Sequence, residues 1–236
     1  MTRADGIYYP VALAAGIEPR TSNGTHLFGR EIVVWRDSDG ASHVWEDRCP
    51  HRGMRLSLGF VRGNQIACLY HGWHYDAAGQ CRYIPAHPQL TPPDTIRVPA
   101  YDSAERLGMI FLWNGGSPRG ALPAERAVTP VRSITVDCAA ERAEACLRGP
   151  ELAPFADADA TPAVTALSPT LFSVVSGGDE AIVGIQPLSA DACALHIVVA
   201  SADDRGRALR KRVSLWAQDL RRKLEPSQPT LAEAAE

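Results

Sequence analysis

The sequence predicts a mainly β protein with some α: an N-terminal antiparallel β domain followed by a smaller α+β domain. Three observations predict it. Short runs of β-branched and aromatic residues recur through the first half, each closed by Gly, Asp or Asn. A stretch rich in Gly, Pro, Arg and Ala between residues 114 and 130 interrupts the pattern. Beyond it, β runs return and end in a long segment with apolar residues at helical spacing. With 236 residues and 45% hydrophobic content, the chain can build its core without disulfides.

Glu31 to Arg36 and Ala41 to Glu46 flank Asp37-Ser-Asp-Gly40, the pattern of a hairpin whose glycine supplies the left-handed turn position. Further strands are predicted at Gly59 to Val61, Gln65 to Cys68, His74 to Asp76, Thr95 to Ala100 and Met109 to Trp113. The domain boundary is placed near residue 120, giving a first domain over 1–119 and a second over 120–224. The second domain reads as a strand at Ser133 to Val136, a helix at Ala139 to Leu147 and a loop of Pro, Ala and Asp from Gly149 to Pro162. Strands at Thr170 to Val175, Ala181 to Pro187 and Ala192 to Ala200 follow. A helix from Asp204 to Leu224 then sets Leu209, Val213, Trp216 and Leu220 on one face. Residues 225–236 read as a flexible tail.

A net charge of −3 gives no overall attraction to nucleic acid or to an anionic membrane. No apolar run reaches the roughly 18 residues of a spanning helix, and Pro10 breaks the Ile7 to Ile17 stretch, which makes it a poor signal peptide. A cytoplasmic protein is the expectation. The cysteines form no disulfide framework pattern, so reduced thiols are expected at Cys81, Cys138, Cys146 and Cys193.

The chemistry lies in two short segments, Cys49-Pro-His51-Arg-Gly53 and Cys68-Leu-Tyr-His71-Gly72-Trp73. Each offers one thiolate and one imidazole. A structural zinc site draws on patterns such as Cys-x2-Cys followed by His-x3-His and closes a tetrahedron around one ion. Two loops that each mix sulfur and nitrogen can instead straddle a two-iron rhomb, with Cys49 and Cys68 on one iron and His51 and His71 on the other. That is the ligand set of a Rieske [2Fe-2S] cluster, a one-electron carrier. Gly53 and Gly72 let backbone amides approach the bridging sulfides. Met54, Tyr70 and Trp73 are expected to shield the cluster, and Arg52 to stand close enough to serve as a docking contact. Neither loop holds a second cysteine, so no disulfide can join them. A potential toward the low end of the roughly −150 to +300 mV Rieske range is expected.

The first half resembles the large (alpha) subunit of Rieske non-haem iron ring-hydroxylating oxygenases. The resemblance rests on Tyr8-Tyr-Pro-Val-Ala12, His26-Leu-Phe-Gly-Arg-Glu31, both cluster segments, Ile84-Pro-Ala-His87 and Gly108-Met-Ile-Phe-Leu-Trp113. It implies a Rieske domain followed by a helix-grip domain, here reduced in size, in subunits assembled head to tail as trimers. An electron would pass from one subunit's cluster to its neighbour's mononuclear iron. The family supplies that iron's histidines in an Asp-x2-His-x4-His run, which this chain lacks. In the closest stretch, from Glu144 to Phe155, Arg148 stands at the position of the bridging Asp and Glu151 at that of the first His. Past the cluster loops only His74, His87 and His196 remain.

Glu144, Glu151, Asp157 and Asp159 read as solvated surface, and His196 as a satisfied core residue. The basic residues between Arg205 and Lys223 suit an acidic electron-transfer partner, a membrane surface or a solvated helix face. The expected function is therefore a Rieske subunit of a multicomponent oxygenase, with a [2Fe-2S] cluster and no mononuclear iron of its own. It would not be catalytic alone. Its partners would be an electron-donor reductase or ferredoxin and an iron-competent oxygenase subunit in a hetero-oligomer, with no nucleic acid or membrane partner. Two alternatives stay open: a self-sufficient oxygenase with unconventional iron ligands, and a stand-alone electron carrier.

Overall fold

Asp37 to Gly40 turns the chain as predicted: the Asp37 carboxylate accepts from the amides of Asp39 and Ala41 at 3.0 and 2.9 Å, and Gly40 takes φ of +86°. The turn joins strands β3 (Arg30–Arg36) and β4 (Ser42–Glu46). The structure, a computed structural model, describes residues 5–117, 121–156, 161–200 and 204–225, the last range without the side chains of 204–207. Asp157, Asp159, the side chains of Arg205 and Arg207, and the tail beyond residue 225 lie outside the described residues.

Strands β2 (Ser22–Leu27), β3, β4 and β9 (Ala100–Tyr101) form one antiparallel sheet in that order. A second contains β5 (Phe60–Arg62), β6 (Gln65–Ala67), β7 (His74–Asp76) and β8 (Cys81–Tyr83). A third sheet sets β11 (Met109–Trp113) between β1 (Tyr8–Leu13) and β10 (Ser103–Arg106). The second half is a five-stranded sheet built from β12 (Thr129–Val136), β13 (Ala163–Ser168), β14 (Leu171–Ser176), β15 (Asp179–Pro187) and β16 (Cys193–Val199), in the order β12-β16-β15-β14-β13. Helices α1 (Ala140–Arg148) and α2 (Asp204–Leu224) cover one of its faces. Leu209, Val213, Trp216 and Leu220 are buried there, as their spacing predicts.

The mainly β architecture matches the sequence expectation, with local differences. Of the strand predicted from Thr95 to Ala100, only Ala100 lies in a strand, the two-residue β9. The segment still extends, with Cys81 and Val98 donating backbone hydrogen bonds to Ile96 and Gly79, but Pro99 has no amide to continue a ladder. β1 was hidden by Pro10, which is tolerated because β1 is an edge strand with an irregular register between Pro10 and Ala12. β2, with the sequence Ser-Asn-Gly-Thr-His-Leu, has no apolar alternation and owes its extension to pairing with β3.

The sheet of β1, β10 and β11 lies against the face of the five-stranded sheet that the helices leave open. Leu13, Met109 and Phe111 pack with Leu171, Ile182 and Val198 in one core. Gly184 permits this approach, because a Cβ there would stand 2.9 Å from Met109 Sδ and 3.0 Å from Pro10 Cγ. No helix among the described residues is long and apolar enough to cross a membrane.

Candidate metal centre

The two cluster segments fold as two copies of one turn. The Cys49 amide donates to the carbonyl of Met54 at 2.8 Å, and the Gly53 amide donates back to that of Cys49 at 2.8 Å. In the second loop the Cys68 amide donates to Trp73 at 2.9 Å, and that of Gly72 to Cys68 at 3.0 Å. Gly53 and Gly72 take φ of +74° and +67°, a conformation that costs any residue with a Cβ about 1–2 kcal/mol. Only the histidine differs in place, third in the first turn and fourth in the second. The first loop joins β4 of one sheet to β5 of another, and the second joins the neighbouring strands β6 and β7.

The arrangement has a polarity. Cys49 and Cys68 are buried, at 2% and 3% exposure, whereas His51 is half-buried and His71 exposed. The two imidazole rings lie 4.6 Å apart at 60°. Trp73 stacks on His51 at 4.2 Å and 5°, and Tyr70 lies over His71 at 3.8 Å and 32°. Met54 and Trp73 are half-buried against the surrounding core, whereas Tyr70 is 56% exposed and so shields His71 from one side while facing solvent on the other. Arg52 is exposed between His51 and Gly53. Pro85 closes on the second loop, where a Cβ on Gly72 would meet its Cγ at 3.0 Å.

The electrostatics suit a metal-sulfur group. Burial pushes the Cys68 thiol up and the neighbouring Cys49 thiol adds to this, while hydrogen bonds from the Tyr70 and His71 amides pull the other way. Those amides are the donors a metal-bound thiolate needs. Metal-free, the thiol is kept protonated, so loading a metal releases a proton. Burial holds His51 below the usual imidazole range, with His71 and Arg52 adding to the effect, so the ring is neutral as a ligand must be.

One contributor escaped the sequence analysis. The Tyr75 hydroxyl lies 3.1 Å from Cys49 Sγ, and burial, followed by that contact, pushes its ionisation far above the ordinary phenol range, so it remains a donor. The available signal was its place in β7, two residues past Trp73, where strand alternation turns it inward. Cys81, buried in the same core, has its thiol pushed up by burial.

Among the described residues no three His, Cys, Asp or Glu side chains stand together as ligands for a single ion. A two-iron rhomb asks only two protein donors of each iron. A pair of buried thiols beneath a pair of outward imidazoles fits that demand.

The residues near the family's mononuclear iron run are otherwise engaged. Arg148 pairs with Glu144 at 3.0 Å and lies 5.0 Å over the Phe172 ring. The Glu151 carbonyl accepts from Lys223 at 3.0 Å. His74 is half-buried beside Gln65 and Tyr83, His87 is exposed, and His196 is buried in β16 with both ring nitrogens bonded. Several cations of α2 are paired along the surface: Arg212 with Asp179, Arg221 with Glu225 and Arg222 with Asp219.

Residues 7–101 match the family model of the Rieske [2Fe-2S] domain. Those residues thus form a Rieske [2Fe-2S] domain. The chain is 36% identical over 138 residues to the oxidoreductase NdmD of Pseudomonas putida, a match covering 55% of this chain and 24% of that protein. It is 47% identical over 86 residues to the methylxanthine N1-demethylase NdmA of the same organism, covering 36% of this chain and 24% of the relative. The matched stretches thus span about a quarter of each curated relative's length. In fold the similarity runs further. The crystal structure of apo dicamba monooxygenase superposes with a TM-score of 0.75 at 18% identity, covering 98% of this chain and 88% of that one. NdmA superposes with a TM-score of 0.69 at 22% identity, covering 98% and 84%. Over nearly its whole length the chain thus shares the fold of these two oxygenase structures.

Proposed function

We propose that this chain is the electron-relaying Rieske subunit of a multicomponent oxygenase, with residues 1–119 as its electron-transfer domain and 120–224 as an assembly domain. Cys49 and Cys68 would hold the iron that stays ferric, and His51 and His71 the iron that is reduced. The cluster supplies reversible one-electron chemistry. The protein's own part is to exclude water from the sulfur side with the core around Tyr75 and Leu56, to donate hydrogen bonds to the cysteine sulfurs, and to expose the imidazole edge to partners. The observation that carries this reading is the inside-out order of the four donors, buried sulfur beneath exposed His71.

The electron would arrive from a reductase or ferredoxin and leave toward a mononuclear iron in a partner subunit. One feature supports a relay over a complete oxygenase: the space between the five-stranded sheet and its helices is filled by apolar side chains, among them Phe155, Phe172, Val213 and Trp216. Purification from the native host with iron counting and identification of co-purifying chains tests the proposal. About two irons per chain and a companion with an intact Asp-x2-His-x4-His run support it. A third iron in this chain overturns it in favour of a complete oxygenase, and two irons without any oxygenase companion favour a stand-alone carrier.

A further inference from the structure

A cleft of about 410 Å³ opens between the two halves of the molecule, at the edge of the five-stranded sheet formed by β12, and reaches round that edge to α2. Its walls come from the first strand and following turn, from β2, from the start of β12 and from α2. Val11, Leu13, Ile17, Val34, Pro130 and Val131 make most of it apolar. The polar groups are few: Asn23, Thr25, Ser133, His196 and Arg210. Pockets of this size, mostly apolar with a few convergent polar groups, are the usual form of small-molecule sites.

The hydrogen bonds fix what those groups can offer. The Gln186 amide nitrogen donates to the His26 carbonyl at 2.7 Å and to Thr25 Oγ1 at 2.9 Å, so the Gln186 Oε1 faces His196 and can only accept. His196 Nε2 lies 2.8 Å from that oxygen and must carry the ring proton. Burial pushes His196 down to about 4, so the ring is neutral near pH 7 and its Nδ1 is an acceptor. Ser133 Oγ, 2.7 Å from Nδ1, therefore commits its hydrogen to the ring and turns only lone pairs to the cleft. Thr25 is the reverse: its oxygen accepts from Gln186, which leaves its own hydrogen to donate. Among the described lining residues there is one guanidinium, Arg210, and no carboxylate.

We infer that this cleft is a binding site for a small carboxylate with an apolar ring and a hydroxyl or amino donor, held by Arg210 and Thr25 at the carboxylate and by Ser133 at the donor. The one cation among the described lining residues, set over apolar walls, selects an anion against a neutral analogue, because an unpaired carboxylate would lose its hydration without return. The acceptor-only serine asks for a donor on the ligand, since a carboxylate set against it would be repelled. The site stands apart from the metal centre and does not depend on the electron-relay reading.

The test uses the full-length protein with its metal centre intact and 3-hydroxybenzoate as the probe, with 3-hydroxybenzamide as the uncharged control. Calorimetric titration should show saturable binding of the acid at least tenfold tighter than of the amide. Nitrogen NMR of the histidine side chains should show the His196 signals shifting on titration. Arg210→Gln, an exposed position on α2, should weaken the acid at least tenfold and leave the amide unchanged. Ala15→Phe, which fills the cleft, should abolish both. Equal affinity for acid and amide, undiminished binding to Arg210→Gln, an unmoved His196 signal on saturation, or no saturation below about 10 mM overturns the inference.

Discussion

Replacing Tyr75 by Phe removes one oxygen and, with it, the 3.1 Å hydrogen bond to Cys49 Sγ, while the buried ring keeps its packing. With Cys49 as a cluster ligand, the bond is made to a thiolate whose negative charge grows when the cluster accepts an electron. It therefore stabilises the reduced state more than the oxidised one, and its loss lowers the potential. A hydrogen bond to a charged group is worth about 1.5–3 kcal/mol in total. If about 1 kcal/mol of this differs between the two oxidation states, the shift is about −40 mV, since for one electron 59 mV corresponds to a tenfold change in equilibrium. Redox titration followed by circular dichroism or electron paramagnetic resonance, on wild-type and Tyr75→Phe protein of equal iron content, measures it. A potential that is unchanged within about 10 mV, or that rises, would refute the reasoning.

Cys68→Ser should remove the Rieske optical and paramagnetic signals while the protein stays folded by far-ultraviolet circular dichroism; an unaltered spectrum rules out Cys68 as a ligand. Gly79→Ala should destabilise the fold by more than about 2 kcal/mol, because its Cβ would stand 2.4 Å from the Val98 carbonyl oxygen at φ of +79°. Gly63→Ala, also left-handed at φ of +59° but with nothing within 4 Å, should cost only about 1 kcal/mol, and urea midpoints compare the two. Stability should fall with acid across the His196 window. The ring is held down to about 4 when folded against about 6.5 unfolded, so between these pH values the unfolded chain binds the extra proton. Stability is full above about pH 6.5 and drops by about 3 kcal/mol on approach to pH 4. The stability offset between wild type and His196→Gln should be constant above pH 6.5 and change between pH 6.5 and 4 in thermal melts, and an offset that stays constant throughout would remove His196 as the cause.

The site was legible because it is local. The donors of each loop lie within a few residues of one another, and the glycines that let the loops turn are adjacent to them in the chain. The β1 and β2 strands were not legible, because Pro10 and the polar run Ser22 to His26 carry no strand signal of their own. Their extension comes from β11 and β3, which reach them only in the folded chain. Tyr75 was missed for the same reason, since a strand residue's partner across a loop is not written in its neighbours.

Sequence alone determined the mainly β class, the hairpin at Asp37 and the amphipathic face of α2, and it alone names the donors proposed for the metal centre, all from spacings shorter than a turn or a strand. Tertiary structure alone decided that the thiols lie beneath the imidazoles, that Tyr75 points at Cys49, and that Ser133, His196 and Gln186 line up toward Thr25 across 161 positions of sequence. Those outcomes depend on which strands meet. That is set by burial of apolar surface summed over the whole chain, and no short segment encodes it.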